Sequence, residues 1–330
     1  MVKVYKSEQE FSKNLTKPLP ILASEAYLSS KSDDYGWFVS DKFVLPFIID
    51  KKLIFKRMIF TLESFYLQDN LTVEDEKAFL DEMVEVTQKE NLCDFINKAQ
   101  SYTVFNTYPT KAVHAPWGTY EIDITPGEEE ILASFNQSHR RALRKAIKEG
   151  VEIRFDVDPK DTYELVHETV TRAGSLACPP YEYFKKSKEN LGNNCLYAGA
   201  YKDGELQTVL TVLFDDYRAY ELYGGNKPRA PKGAGQLLKY EAMKYVKAHS
   251  KAPIFDLCGA RINVKPDSKY AAIQQYKERF RPTLKEGYAF KVIINPLKTK
   301  LFNLLVQLYS KKKGMTYVDP IDQLLTGNYN

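Results

Sequence analysis

Three consecutive β-rich runs, Cys195 to Tyr201, Glu205 to Phe214 and Tyr217 to Tyr223, are separated by links too short to hold any other element. Lys202-Asp203-Gly204 reads as the first hairpin turn and Asp215-Asp216 as the second. Strands joined this tightly pair as an antiparallel meander. A glycine-bearing loop, Gly224 to Gly235, then leads into an amphipathic helix with Leu237, Leu238, Ala242, Tyr245 and Val246 on one face. Around this core the pattern predicts a strand at Val151 to Phe155, helices at Lys160 to Ala173 and Tyr181 to Asn190 split by Cys178-Pro179-Pro180, a strand at Ile254 to Cys258, a helix at Asp267 to Glu278 and a closing strand at Tyr288 to Ile294. The order after Gly150 is therefore β-α-α-β-β-β-α-β-α-β.

The first third has a different texture. Tyr35 to Ser40, Phe43 to Ile49 and Leu53 to Leu62 read as a second meander, with turns at Asp41-Lys42 and Asp50-Lys51-Lys52. Phe79, Leu80, Met83 and Val86 fall at helical spacing within an acidic stretch, Val73 to Glu90. Cys93 to Ile96 is a short strand, residues 100–118 are loop, and Thr119 to Ile124 alternates as a strand. Thr125-Pro126-Gly127 marks the internal boundary, giving domains 1–125 and 126–330, the latter closing with a helix at 296–313. Just beyond the boundary, Glu128 to Lys148 is expected as one helix: Leu132, Phe135, Leu143, Ala146 and Ile147 form its stripe, and Gly150 ends it.

Composition removes several classes. With 330 residues, 44% hydrophobic and 27% charged, the chain has material for packed cores and is not disordered. No apolar run reaches the roughly 18 residues of a membrane span, and the first residues lack a signal-peptide core, so a cytoplasmic protein is expected. Four scattered cysteines and four scattered histidines give no metal-ligand spacing, so no metal is expected. The net charge of +4 is unevenly spread: residues 1–125 carry −5, 126–220 carry −3 and 221–330 carry +12. A local excess of that size suits phosphates or an anionic surface, or simply solvates helix faces.

The basic third contains the loop. Glycines let backbone N–H groups converge on an anion, and the following helix adds its positive end. Gly224, Gly233, Ala234, Gly235 and Gln236, with Lys227, Arg229 and Lys232 as charge-assisted donors and Tyr223 at the preceding strand end, would suit a pyrophosphate. A plain surface loop is the alternative. The stretch is neither a Walker loop nor a G-x-G-x-x-G fingerprint.

The element order, with this loop between the fourth strand and the long helix, resembles the GNAT superfamily of acyl-CoA-dependent N-acyltransferases. Gly233-Ala234-Gly235 supplies the second half of that superfamily's Q/R-x-x-G-x-G/A pattern, although Ala230 stands at the Q/R position and Arg229 one residue earlier. A second resemblance covers residues 117–305. Phe135 to Ile153, with Ser138, Arg141, Arg144, Lys145, Ala146, Lys148, Gly150 and Val151, looks like a segment of the Fem family, tandem GNAT-like proteins that transfer amino acids onto peptidoglycan precursors. Tyr220 to Glu241, Phe255 to Gly259, and Tyr276 to Phe280 followed by Asn295-Pro296-Leu297 fit the same pattern. These resemblances imply a tandem GNAT-like α/β (α+β) fold, with mixed, mostly antiparallel central sheets flanked by helices and a degenerate first half.

They also imply chemistry. Glu221, on the fourth strand, would deprotonate an acceptor amine, and Tyr276, in an A-x-x-x-Y-x-x-x-F stretch, would protonate the leaving group. Backbone N–H groups near Tyr223-Gly224, where the fourth strand should splay from the fifth, would hold the oxyanion. Asp256 and Asn263 would orient the acceptor, or cap turns, and Arg140 and Arg144 would cradle an acceptor phosphate, or merely be solvated. The cosubstrate would be acetyl-CoA or another acyl-CoA, with no permanent cofactor, and the acceptor an amino sugar or a lipid- or nucleotide-linked cell-envelope precursor. Aminoacyl-tRNA is the alternative donor and the only nucleic acid expected. A binding protein that has lost cofactor affinity is the non-enzymatic alternative. Leu297 to Lys313, apolar and flanked by lysines, would lie on a membrane surface or pack as a helix.

Overall fold

The computed structural model describes residues 1–97, 100–174, 178–266, 268–312 and 318–326. They form two compact units, one of Met1–Thr119, Gly259–Ala271 and Lys285–Asn330, the other of Tyr120–Cys258 and Ala272–Leu284. The division thus falls at Thr119/Tyr120 rather than Thr125, and the closing segment groups with the first unit rather than the second. The physical reason is pairing: Glu121 to Asp123 pair with Ile254 to Asp256 inside the second unit, and Val292 and Ile293 pair with Ile96 and Phe95 inside the first.

In the first unit, β1 (Lys3–Tyr5), α1 (Glu25–Lys31), β2 (Tyr35–Val39), β3 (Phe43–Lys52), β4 (Phe55–Phe60) and β5 (Phe65–Tyr66) precede α2 (Val73–Lys89), β6 (Phe95–Ile96) and β7 (Val113–Asp123). Strands β2 to β4 make the expected antiparallel meander, and β1, which was not expected, pairs with β2. Its second turn is not at Asp50-Lys51-Lys52, which are paired as strand, but at Leu53-Ile54. Lys52 pairs Phe55, so the link is a two-residue one, and twist matching drives Leu53 to φ +55° despite its side chain. Residues 113–118, expected as loop, belong to β7. Helix α2 starts at a Thr72/Asp75 capping box and lays Phe79, Leu80, Met83 and Val84 on a core that includes Phe43, Leu45, Phe47 and Met58. Each such side chain contributes roughly 1.5–3 kcal/mol by burial.

The second unit runs α3 (Glu128–Ser134), α4 (Gln137–Lys148), β8 (Glu152–Arg154), α5 (Pro159–Arg172), α6 (Tyr181–Leu191), β9 (Cys195–Lys202), β10 (Glu205–Phe214), β11 (Ala219–Asn226), α7 (Ala234–His249), β12 (Ile254–Asp256) and α8 (Lys269–Glu278). The element order expected after Gly150 is present, closed by β13 (Thr283–Ile293). The single helix expected over Glu128 to Lys148 is two. Phe135 is extended and buried, and the Asn136 side chain accepts from Ser138 N–H to cap a new helix. Within the unit β8, β9, β10 and β11 pair antiparallel in sequence, β11 pairs β12 in parallel, and β12 pairs the end of β7 antiparallel. The chain then returns to the first unit, where β13 pairs β6, α9 (Pro296–Lys312) stacks Phe302 against Phe55 and Phe95, and α10 (Pro320–Thr326) buries Ile321 and Leu324 beside Ala115 and Ala289.

Gly233 joins α4 to α7. Its φ is +96°, and a Cβ there would sit 1.9 Å from the Ala142 carbonyl oxygen. Gly233→Ala is expected to cost about 2–4 kcal/mol in urea unfolding, through both the left-handed backbone and the forced separation of α4. Gly224→Ala, whose Cβ would meet nothing nearer than 3.6 Å, should stay within about 1 kcal/mol of the parent in the same measurement.

Candidate active site

Strand β11 runs beside β12 for only two residue pairs, Ala219 with Phe255 and Tyr220 with Asp256. From Glu221 onward its register continues with β10 alone, so the expected splay between the fourth and fifth strands of the unit is present. A pocket of about 360 Å³ opens along the departing strand. Its walls are Thr208 to Leu210 of β10, Glu221 and Gly224 to Asn226 of β11, Ala230 and Pro231 of the loop, the start of α7, and Tyr276 of α8. Gly235 and Gln236 line it from the first turn of α7, the positive end of the helix. Gly235 leaves room for Tyr276: a Cβ there would lie 3.3 Å from the phenol oxygen.

Charge inside the pocket is paired. Both carboxylate oxygens of Glu221 accept from Lys239 Nζ, and the two side chains are 13% and 7% exposed. Lys239 also faces the rings of Tyr276 and Phe280, at 5.8 and 5.5 Å. Tyr276 keeps its proton well above the usual phenol range, because burial and the Glu221 carboxylate both disfavour the phenolate. Desolvation pulls the neighbouring Lys277 ammonium below its ordinary value against the opposing pull of Glu221, and its Nζ donates to the Cys258 carbonyl. His139 of α4 lies 5.1 Å from the Tyr276 ring and 4.5 Å from Phe280. It is 2% exposed and neither ring nitrogen has a hydrogen-bond partner. Burial, with Arg279 and Lys239 adding repulsion, lowers it to about 4.

The expected site residues therefore separate. Glu221, Tyr276, Gly224, Gly233, Gly235 and Gln236 converge on the pocket. Ala234 is buried as the first residue of α7, with its N–H on Pro231. Gly233, read as an anion-facing glycine, owes its lack of a side chain to α4. Tyr223 does not line the pocket: its N–H donates to Thr211 Oγ1 and its ring packs with Tyr183 and Phe184, so it is no free oxyanion donor. Lys227 turns to Glu205, while Arg229 and Lys232 are exposed on the loop outside the pocket lining. Asp256 is fully buried, bonded to Arg218 and accepting the Cys258 N–H, a turn cap rather than an acceptor contact. Asn263 is exposed in the 259–271 segment. Arg140 donates to the Ala133 carbonyl and Arg144 is exposed, neither at the pocket. Among the described residues no group of three or more His, Cys, Asp or Glu is placed to hold a metal.

Lys239 was readable and missed. It stands in line with Ala242, Met243 and Val246 at helical spacing, and a cation inside an apolar stripe demands a buried counter-charge. His139 offered no comparable signal, since it borders a basic run.

This arrangement is a tandem GNAT-like fold, a mixed, mostly antiparallel sheet flanked by helices with the strands splayed at the pocket. The chain is similar to FemX, at 16% identity and TM-score 0.65 over 92% of this chain and 99% of that one. It is also similar to a tandem GNAT protein from the clavulanic acid biosynthesis pathway, at 11% identity and TM-score 0.53 over 90% and 99%. L-PGS from Bacillus licheniformis matches at 13% identity and TM-score 0.52, over 85% and 95%. No protein-family model matches the chain, and no curated protein matches it by sequence.

Two measurements probe the buried charges. Lys239→Met strands the Glu221 carboxylate and should cost about 3–5 kcal/mol in chemical denaturation, most of it recovered in the Glu221→Gln/Lys239→Met double variant. His139 has its folded pKa below the ordinary 6.5, so the unfolded chain takes up the proton first as pH falls. Its share of stability is complete above pH 6.5 and lost on acidification towards about 4, on the order of 2 kcal/mol. His139→Phe should flatten the fall in melting temperature over that window; an unchanged slope would contradict the assignment.

Proposed function

We propose that the protein is an N-acyltransferase whose transfer site is the β11/α7 pocket, taking its group from an acyl-CoA and passing it to an amine on an amino sugar or other cell-envelope precursor. The supporting observation is that the start of α7, Glu221 and Tyr276 line one pocket, with the Tyr276 phenol 3.3 Å from where a Cβ on Gly235 would stand. An anionic pyrophosphate suits the helix end, which sets the thioester near the two side chains. An acceptor ammonium entering the pocket replaces Lys239 at Glu221, and the carboxylate takes its proton. The free amine then forms the new C–N bond as the C–S bond breaks, in a ternary complex and with no enzyme-bound intermediate. Tyr276, held protonated, passes a proton to the departing sulfur and regains one from the nitrogen of the new amide, so that the thiol leaves neutral and Glu221 keeps the first proton of the ammonium.

A second reading, aminoacyl transfer from tRNA in the manner of the Fem family, is favoured by the breadth of the likeness to FemX and by the placement of Lys227, Arg229 and Lys232 outside the pocket. Calorimetric titration with acetyl-CoA separates the two. Micromolar or tighter binding supports the acyl-CoA reading; no heat, with transfer of an amino acid from charged tRNA to a muropeptide precursor, replaces it with the second. Neither binding nor transfer would leave the fold as a binding scaffold. In whichever assay turns over, Glu221→Gln should lower kcat about 100-fold with donor affinity unchanged within about twofold.

A further inference from the structure

Helix α9 in the first unit is inverted in its polarity. It buries Thr299 and Ser310, while Leu297, Leu301, Leu304, Leu305 and Leu308 are 81%, 42%, 52%, 42% and 57% exposed. Their spacing puts them in one stripe over three helical turns. Near its start lies a second exposed apolar feature, the β3/β4 turn, where Leu53 is 94% and Ile54 60% exposed. The two are tied together: Lys298 Nζ donates to the Ile54 carbonyl at 3.3 Å and pairs with Asp94 at 3.1 Å, and Phe302 packs on Phe55 beside the turn. The turn is thus anchored beside the start of the helix.

The rim of this face is cationic. Lys300, Lys311 and Lys312 of α9, which contains no Asp or Glu, and Lys52 before the turn carry it, whereas Lys298 and Lys51 are paired with Asp94 and Asp34. Leucines on one side with lysines around them match a bilayer of acidic headgroups, in which the leucines enter the acyl boundary and the lysines meet phosphate. A second copy of the chain fits worse, because a two-fold contact through this stripe would set the same lysines against each other. No helix among the described residues is long and apolar enough to cross a membrane, so the contact is with the surface. We propose that α9 and the Leu53-Ile54 turn form a docking face for an anionic lipid surface. This goes beyond the transfer reaction and does not rest on it.

The test is co-sedimentation of the full chain with vesicles of phosphatidylcholine alone and of phosphatidylcholine with about one-third phosphatidylglycerol. The expected result is binding at least about tenfold stronger to the anionic vesicles, weakened as salt is raised. Leu304→Gln/Leu308→Gln and, separately, Leu53→Ser/Ile54→Ser should each reduce binding about tenfold with an unchanged circular dichroism spectrum. The turn variant decides the matter should the helix variant misfold. Absence of binding to anionic vesicles, binding indifferent to both variants, or a dimer in sedimentation equilibrium that the leucine variants dissociate would each overturn the proposal. Acetyl-CoA titration of the same variants keeps this outcome separate from that of the transfer site.

Discussion

Arg218 sets the geometry on which the pocket depends. Glu121 of β7 and Asp256 of β12 stand directly opposite one another, a like-charge cross-strand pair with Asp256 fully buried. Such a pair repels unless a cation joins it. The Arg218 guanidinium, one residue before β11, does so at 2.7 Å from Glu121 and 3.3 Å from Asp256. A buried ion group of this kind adds little net stability over apolar residues of the same shape. What it supplies here is register: three strands are pinned at one height, a parallel ladder of two pairs forms there, and β11 is free to leave immediately afterwards. Glu221 is the first residue of the departing stretch, so the group best suited to chemistry sits where the sheet stops satisfying its own backbone.

The chemistry of that residue is set by Lys239. With both oxygens of Glu221 on one ammonium, the carboxylate is screened from the pocket until another cation displaces the lysine. In the proposed transfer, an acceptor that arrives as an ammonium provides that exchange at equal charge, whereas a neutral ligand does not. Tyr276 and the neutral His139 pack beside the pair, with the Lys277 ammonium nearby.

Much of this architecture was legible because strand and helix periodicities are local. The three strands from Cys195 and the helix after the glycine loop appear close to their expected bounds, and the element order after Gly150 holds throughout. The failures are those where tertiary contact overrides local chemistry. Asp50-Lys51-Lys52 has turn composition, yet the ladder extends through it and hands the turn to Leu53-Ile54, an apolar dipeptide with no turn signal. The helix stripe from Leu132 to Ile147 is continuous in projection, and only the Asn136 cap reveals the break at Phe135. Gly233 carries the same sequence signal whether it faces a phosphate or a neighbouring helix. The contact with Ala142 distinguishes the two, and it arises from residues about 90 positions away.

The +12 charge of residues 221–330 was read as suiting phosphates or an anionic surface, or as solvating helix faces, and the structure divides it. One part, Lys227, Arg229 and Lys232, surrounds the approach to α7; another, the four lysines of α9, surrounds a leucine stripe. Lysines near a helix N-terminus compete with the dipole for solvent and gain when an anion arrives, which the proposed transfer would exploit at Arg229 and Lys232, since Lys227 is paired with Glu205. The second group meets the C-terminal dipole of its own helix favourably at Lys311 and Lys312, and needs no ligand to be stable there. Its coincidence with exposed leucines is the feature that helix stability leaves unexplained. Charge alone could not have separated the two groups, because what distinguishes them is the apolar surface beside each: a concave pocket in one case, a convex stripe in the other.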